Sequence, residues 1–200
     1  MTPEQIRQAL ANKAAAINGK RNLTDAAKRT MLARAYLEAK TAIEEARTQE
    51  TENIGRERRK LERKLFGNDG FTVDPNAAIS RRDAADRAAR IETADEALRT
   101  MWRAERDGDA TLAKAIASRA ADYSGDPVWA GVVQQYVADK PSEAETLQAM
   151  RDLPDTDDAV WRMQQAMQYG IGTPDGLGEV SHYQAEALAS QPLDGETTAA

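Results

Sequence analysis

The chain has 200 residues, of which 41% are apolar, 5% aromatic and 30% charged, with a formal net charge of −6, one histidine and no cysteine. That composition excludes disulfide staples, thiolate metal sites and cysteine nucleophiles, and any histidine-based metal site would need several carboxylates to complete it. Alanine supplies nearly half of the apolar residues; it favours helix but fills little core volume, so the expected fold is all-α and thin, with helices packed closely in pairs.

The net charge hides an asymmetry. Residues 122–200 hold 14 Asp and Glu against three basic residues, Lys140, Arg151 and Arg162, a balance of −11, so residues 1–121 carry +5. A chain polarised in this way is expected to meet an acidic partner, or the acidic end of another copy. The opening MTPEQIRQAL lacks the apolar core of a signal peptide, and no apolar run approaches membrane-spanning length. The expectation is a cytoplasmic protein with no membrane contact.

In chain order, Thr2 and Pro3 start a helix over about 3–17, with Ile6, Leu10, Ala14 and Ile17 on one face, and Asn18-Gly19 stops it. Thr24 is the expected N-cap of a long helix over 25–66, with Asp25 at the positive end of its dipole. Gly55 is its weak point, at roughly 1 kcal/mol relative to Ala. Leu32, Ile43, Ile54 and Leu65 recur every 11 residues, with Tyr36, Ala39, Ala46 and Leu61 on the same face. That interval predicts a nearly straight rod about 60 Å long, which needs a partner along its stripe.

The expected partner is the next helix. Gly67 reads as a C-cap, Asn68-Asp69-Gly70 as a turn, Asp74-Pro75 as a block to helix, and Ser80 as the cap of a new start. Ala84, Ala88, Ile91, Leu98, Met101 and Trp102 then mark a stripe ending near Asp107-Gly108-Asp109. Folding back as an antiparallel hairpin would set Ile54 against Ile91, Arg47 beside Leu98 and Ile43 against Trp102. Phe71 and Val73 in the connecting loop would need a local pocket or a second molecule. Leu32 and Tyr36 overhang this hairpin and must pack on downstream helices or on a second subunit.

Those downstream helices are marked by Leu112, Ile116 and Ala120, by Trp129, Val132, Val133 and Tyr136, by Leu147, Met150 and Leu153, and by Val160, Trp161, Met163, Met167 and Tyr169. They read as a small bundle. From Gly170 the chain has many breakers and few large apolar residues; a short helix is expected over 181–190 and disorder in the last ten residues. The expected organisation is an N-terminal helix over 1–20, a coiled-coil-like αα-hairpin over 24–108 with a basic tip near 56–90, a bundle over 109–170, and a flexible acidic tail over 171–200.

The basic tip is the most informative candidate site. Arg56, Arg58, Arg59, Lys60, Arg63 and Lys64 approach it and Arg81, Arg82, Arg87 and Arg90 leave it, for a local balance of +4. It can serve as an electrostatic contact for phosphates or an acidic protein surface, or stand as a solvated face of intrahelical pairs. No aromatic residue is interleaved to stack on bases. Gly170, Gly172, Gly176 and Gly178 lack the Lys-Ser/Thr ending of a phosphate loop and read as a linker. The residues upstream of Asp69 rule against a calcium loop. His182 reads as a surface histidine, Asp155, Asp157 and Asp158 as helix N-terminal charges, and the three tryptophans as core anchors. No catalytic residue, metal site or cofactor is expected.

Arg far outnumbering Lys, alanine-rich helices such as ISRRDAADRAARIETADEAL, the long rod and the acidic end together resemble, in style, the small helical virion-assembly proteins of actinobacterial phages and prophages, both scaffold-like and head-associated. Scaffold-type proteins often place a compact basic segment at the C-terminus, whereas this one is acidic. The resemblance implies a virion-assembly protein with capsid or head proteins as partners and a virion-associated location; the rod stripe (Leu32, Tyr36, Ile43, Ile54, Leu65, Ile91, Leu98 and Trp102), longer than its partner helix can cover, leads to the expectation of a non-enzymatic homo-oligomer. The alternative expectation is a nucleic-acid-binding module that uses the basic tip.

Overall fold

A computed structural model describes residues 1–67, 75–123 and 125–193. The predicted turn at Asn68-Asp69-Gly70, together with Phe71, Val73, Asp74, Ser124 and residues 194–200, lies outside the described residues. Among the described residues all regular structure is helical: α1 (Pro3–Asn18), α2 (Asp25–Phe66), α3 (Pro75–Ala89), α4 (Ala94–Arg106), α5 (Ala110–Ala121), α6 (Pro127–Val137), α7 (Pro141–Arg151), α8 (Ala159–Gln168) and α9 (His182–Ala189). The all-α reading, with a long uninterrupted helix over 25–66 and a bundle of short ones, holds.

The chain divides into two compact units, one formed by residues 1–53 and 155–200 and the other by residues 54–154. The divisions expected near 108 and 170 therefore move: one falls inside α2 and the other just before α8. The physical reason is the α2 stripe itself. Leu32, Tyr36 and Ile43 enter one core, Leu65 enters another, and the stretch Glu44–Asn53 between them is largely polar.

In the first unit, α1 is set by a capping box, in which Thr2 Oγ1 accepts from the Gln5 N–H and the Gln5 side chain accepts from the Thr2 N–H. Ile6, Leu10, Ala14 and Ile17 are all buried, as the spacing predicts, and cluster with Leu32, Ala33, Ala35, Tyr36, Ala39 and Ile43 of α2. Thr24 caps α2, its Oγ1 accepting from the Ala27 N–H at 3.2 Å.

The third component of this core is the stretch read from sequence as linker and flexible tail. Leu177 is 2% exposed and Ala185 fully buried in the same cluster, with Tyr169, Ile171 and Val180 packed against it. Backbone carbonyls at the ends of α8 and α9 are taken up by arginines from elsewhere in the unit. Arg7 donates to Gln168 O and to Gly170 O, and Arg34 donates to Ala189 O at 2.8 Å and Gln191 O at 2.9 Å. Neither α8 nor α9 has a basic residue in its own last turn. Arg7 and Arg34 supply both the donors and the positive charge that a helix C-terminus favours. Asn18 Nδ2 donates to Asp175 O at 2.9 Å, which fixes the loop between them.

In the second unit, α5 is central: α3 and α4 pack on it, as does α6, with α4 also against α6 and α6 against α7. Pro75 begins α3 at its first position, where a missing N–H costs nothing, so the helix starts five residues earlier than the expected Ser80 cap. The expected single helix from 80 to 107 is two. It breaks over 90–93, where Thr93 caps α4 by accepting from the Glu96 N–H at 3.2 Å. Asp109 and Asp126 cap α5 and α6, and Pro127 and Pro141 occupy first-turn positions of α6 and α7.

The expected register of α2 on α3 and α4 is thereby replaced. Ile43 is buried in the first unit, Ile54 is only half-buried, and Trp102 is 54% exposed on α4. Instead α4 turns Ala94, Ala97, Met101 and Ala104 inward, at spacings of 3, 4 and 3. Against them lie Ala113, Ile116, Ala117 and Ala120 of α5 and Trp129, Val132, Val133 and Tyr136 of α6. Of the tryptophans read as core anchors, Trp129 is buried, Trp161 is half-buried and Trp102 is not an anchor.

Candidate functional site

The residues assigned to rod packing or self-association are mostly core. Leu32, Tyr36 and Ile43 are buried in the first unit, Leu65 and Ile91 in the second, and Leu98 packs against the second core from a half-buried position. Leu32, Tyr36, Ile43 and Leu65 of the stripe are thus covered within the chain, whereas Ile54 and Leu61 are half-buried and Trp102 is exposed. The α8 stripe behaves in the opposite way to its reading as bundle core. Val160 and Met163 are exposed and Met167 is 75% exposed, while the polar Gln165 is the buried residue of that helix.

The basic cluster sorts by helical position. Arg56, Arg59, Lys60, Arg63 and Lys64 follow one another at i, i+3, i+4, i+7 and i+8, which places them on one face of α2, and all five are exposed. The face opposite carries Leu61 and Leu65, and Arg58 belongs to that side: its Nη2 donates to Pro154 O at 3.0 Å within the second unit. Lys60 pairs with Glu57 at 3.1 Å, one turn away on the surface. Such an exposed pair contributes little, and its lysine remains available to a partner. Arg59, Arg63 and Lys64 form no ion pair with any described residue. Five cations in about two and a half turns, with Glu57 at the edge of their face, make a concentrated positive strip.

Arg81 and Arg82 sit on α3 and line a groove between α3 and α5, into which Lys114 and Arg119 also face. Arg87 is instead spent on local structure, 3.8 Å from Asp83 and 3.5 Å from Asp109, the residue that caps α5. Nothing in the local sequence pairs Lys114 and Arg119 with Arg81 and Arg82. The signal that could have found the groove is the alanine spacing shared by α3 and α5, which brings the two helices together.

Elsewhere the chemistry is sparse. His182 is at the surface, 3.4 Å from Glu186 one turn on, and among the described residues no three His, Asp or Glu side chains are placed to hold a metal ion. Among the described residues no helix is long and apolar enough to cross a membrane. Burial pushes the Tyr169 phenol up to about 12, and its hydrogen bond to the Glu50 carboxylate, together with that carboxylate's charge, adds to the effect. The folded state therefore favours the neutral phenol. The stabilisation from this link is whole below the ordinary value of about 10 and is lost as pH rises through about 12. An absorbance titration of tyrosinate should show a phenol ionising near pH 12, and Tyr169→Phe should remove that step.

Comparison of the chain with family models, with curated proteins and with solved structures finds no match.

Proposed function

We propose that this chain is a non-enzymatic interaction protein of the assembly type, which engages an acidic surface through the basic face of α2. The observation that carries this reading is the strip Arg56, Arg59, Lys60, Arg63 and Lys64, exposed on one face while the apolar side of the same helix is turned inward. Self-association remains part of the proposal, by a different route from the rod stripe. Residues 122–200 carry −11, so the acidic part of a second copy is a complementary partner supplied by the chain itself. The resemblance to phage virion-assembly proteins is compatible with this reading, with an acidic head or capsid surface as the partner outside the chain.

The test is sedimentation velocity of the full chain at several salt concentrations. Association is expected at low salt, with dissociation as the Debye length falls from about 30 Å at 0.01 M to about 8 Å at 0.15 M. The variant Arg59→Glu/Arg63→Glu/Lys64→Glu should be monomeric throughout. A wild-type monomer at tens of micromolar in low salt would remove the self-association proposal.

The same strip supports a second reading, a nucleic-acid contact, because closely spaced cations on one face are what a phosphate backbone recruits. Fluorescence anisotropy with DNA and RNA decides it. Binding should weaken steeply with salt and disappear in the triple variant, and no binding to either polymer at low salt excludes it.

A further inference from the structure

We infer that the groove between α3 and α5 is a binding site for a small phosphorylated ligand, separate from the basic face of α2. The groove has a volume of about 660 Å³ and lies wholly within the second unit, a size in the range of small-molecule sites. Arg81 and Arg82 stand on the α3 side, Lys114 and Arg119 on the α5 side. Among the described lining residues the one carboxylate is Asp122, 4.0 Å from Arg119. Among the described residues the lining thus holds four cationic side chains and one carboxylate, a balance that favours an anion.

The donors are partly organised in advance. The Arg119 guanidinium lies 4.6 Å over the Tyr123 ring, and its Nε is buried without a hydrogen-bond partner. Lys114, which lines the groove, donates to Gly67 O beside the end of α2, and this fixes its ammonium in place. Hydroxyls of Ser80, Thr111 and Ser118 add neutral donors between the cations. The remaining surface is mostly alanine methyl, which leaves room for the body of a ligand.

A phosphoryl group suits this lining better than a carboxylate does. It brings about two charges and several acceptor oxygens, and guanidinium forks bind it bidentately. A small ligand suits the groove better than a polymer, because the cations converge from two walls where a nucleic-acid backbone would want a line of them. The α2 strip shares no residue with this lining, so the two proposals stand or fall apart.

The probe is inorganic pyrophosphate, titrated calorimetrically into the full chain at low ionic strength, with succinate as a dianion lacking phosphorus. Pyrophosphate should bind saturably at one site with a dissociation constant below about 1 mM, and succinate should bind at least tenfold more weakly. Arg82→Gln and Ala85→Glu should each weaken pyrophosphate tenfold or more. Both positions are exposed, so circular dichroism should find the helices intact. Arg59→Gln/Arg63→Gln on α2 should leave binding unchanged. The proposal is overturned by an absence of saturable binding, by equal affinity for succinate, by binding that survives Ala85→Glu, or by binding lost with the α2 variant.

Discussion

Leu177→Ala should destabilise the first unit by about 2–5 kcal/mol, the range for a fully buried leucine that leaves a cavity. Leu177 is the large apolar side chain that the 171–193 stretch contributes to the core of α1 and α2, and it is 2% exposed. The polar links along the same stretch are weaker holds. Arg7, Arg34 and Asn18 each donate to exposed carbonyls, and net hydrogen-bond contributions run about 0.5–1.5 kcal/mol, less where water competes. The leucine therefore decides whether the segment stays down, and the arginines decide where it lies.

Gly176 should report on the same docking from the backbone side. It sits at φ +90°, and a Cβ there would come 2.7 Å from Asn18 Oδ1 and 3.1 Å from Leu32 Cδ1. Asn18 cannot swing away freely, because its amide holds Asp175 O. Gly176→Ala thus combines a left-handed backbone penalty of about 1–2 kcal/mol with a contact against a held side chain. Denaturant unfolding of both variants, with hydrogen exchange followed over α1 and residues 25–53, is the measurement. Faster exchange confined to those residues is expected. Unchanged exchange and stability in Leu177→Ala would mean that 171–193 behaves as the free tail its composition suggests.

What could be read from the chain alone follows the range of the interactions. α1 was legible because its cap, its proline and its buried face are all local. α2 was legible as a helix because nothing interrupts it, but its partners were not, since an 11-residue stripe does not say which of two cores each residue enters. The break over 90–93 was hidden because Ile91 fits the helical stripe on either side and only Thr93 marks the new start. Trp102 was misplaced for a related reason. In close alanine packing, the face with Ala94, Ala97, Met101 and Ala104 is preferred inward, although the neighbouring face carries the largest side chain. The holds on α8 and α9 come from Arg7 and Arg34, more than 150 residues away. The basic strip of α2 was legible from spacing, whereas the groove needed α3 and α5 to be brought side by side.

Ala117→Leu should destabilise the second unit by about 1–3 kcal/mol, and by more if the surrounding helices cannot move apart. Ala117 is fully buried on α5, in a core where Ala97, Ala113 and Ala120 are buried as well. Helices separated by such small side chains approach near the short end of the usual 8–10 Å spacing. A leucine there adds three carbons at a position that is already fully buried. Helix propensity cannot account for a loss, since Leu is nearly as good a helix former as Ala. The control is Ala78→Leu, an exposed position on α3, which should stay within about 0.5 kcal/mol of wild type. Both are read from denaturant midpoints at constant m-value. If the two leucines had equal effects, the close alanine packing that sets α5 at the centre of this unit would be wrong. A large loss at 117 alone would instead establish that the thinness inferred from composition is a packing requirement, since the alanines are where the helices meet.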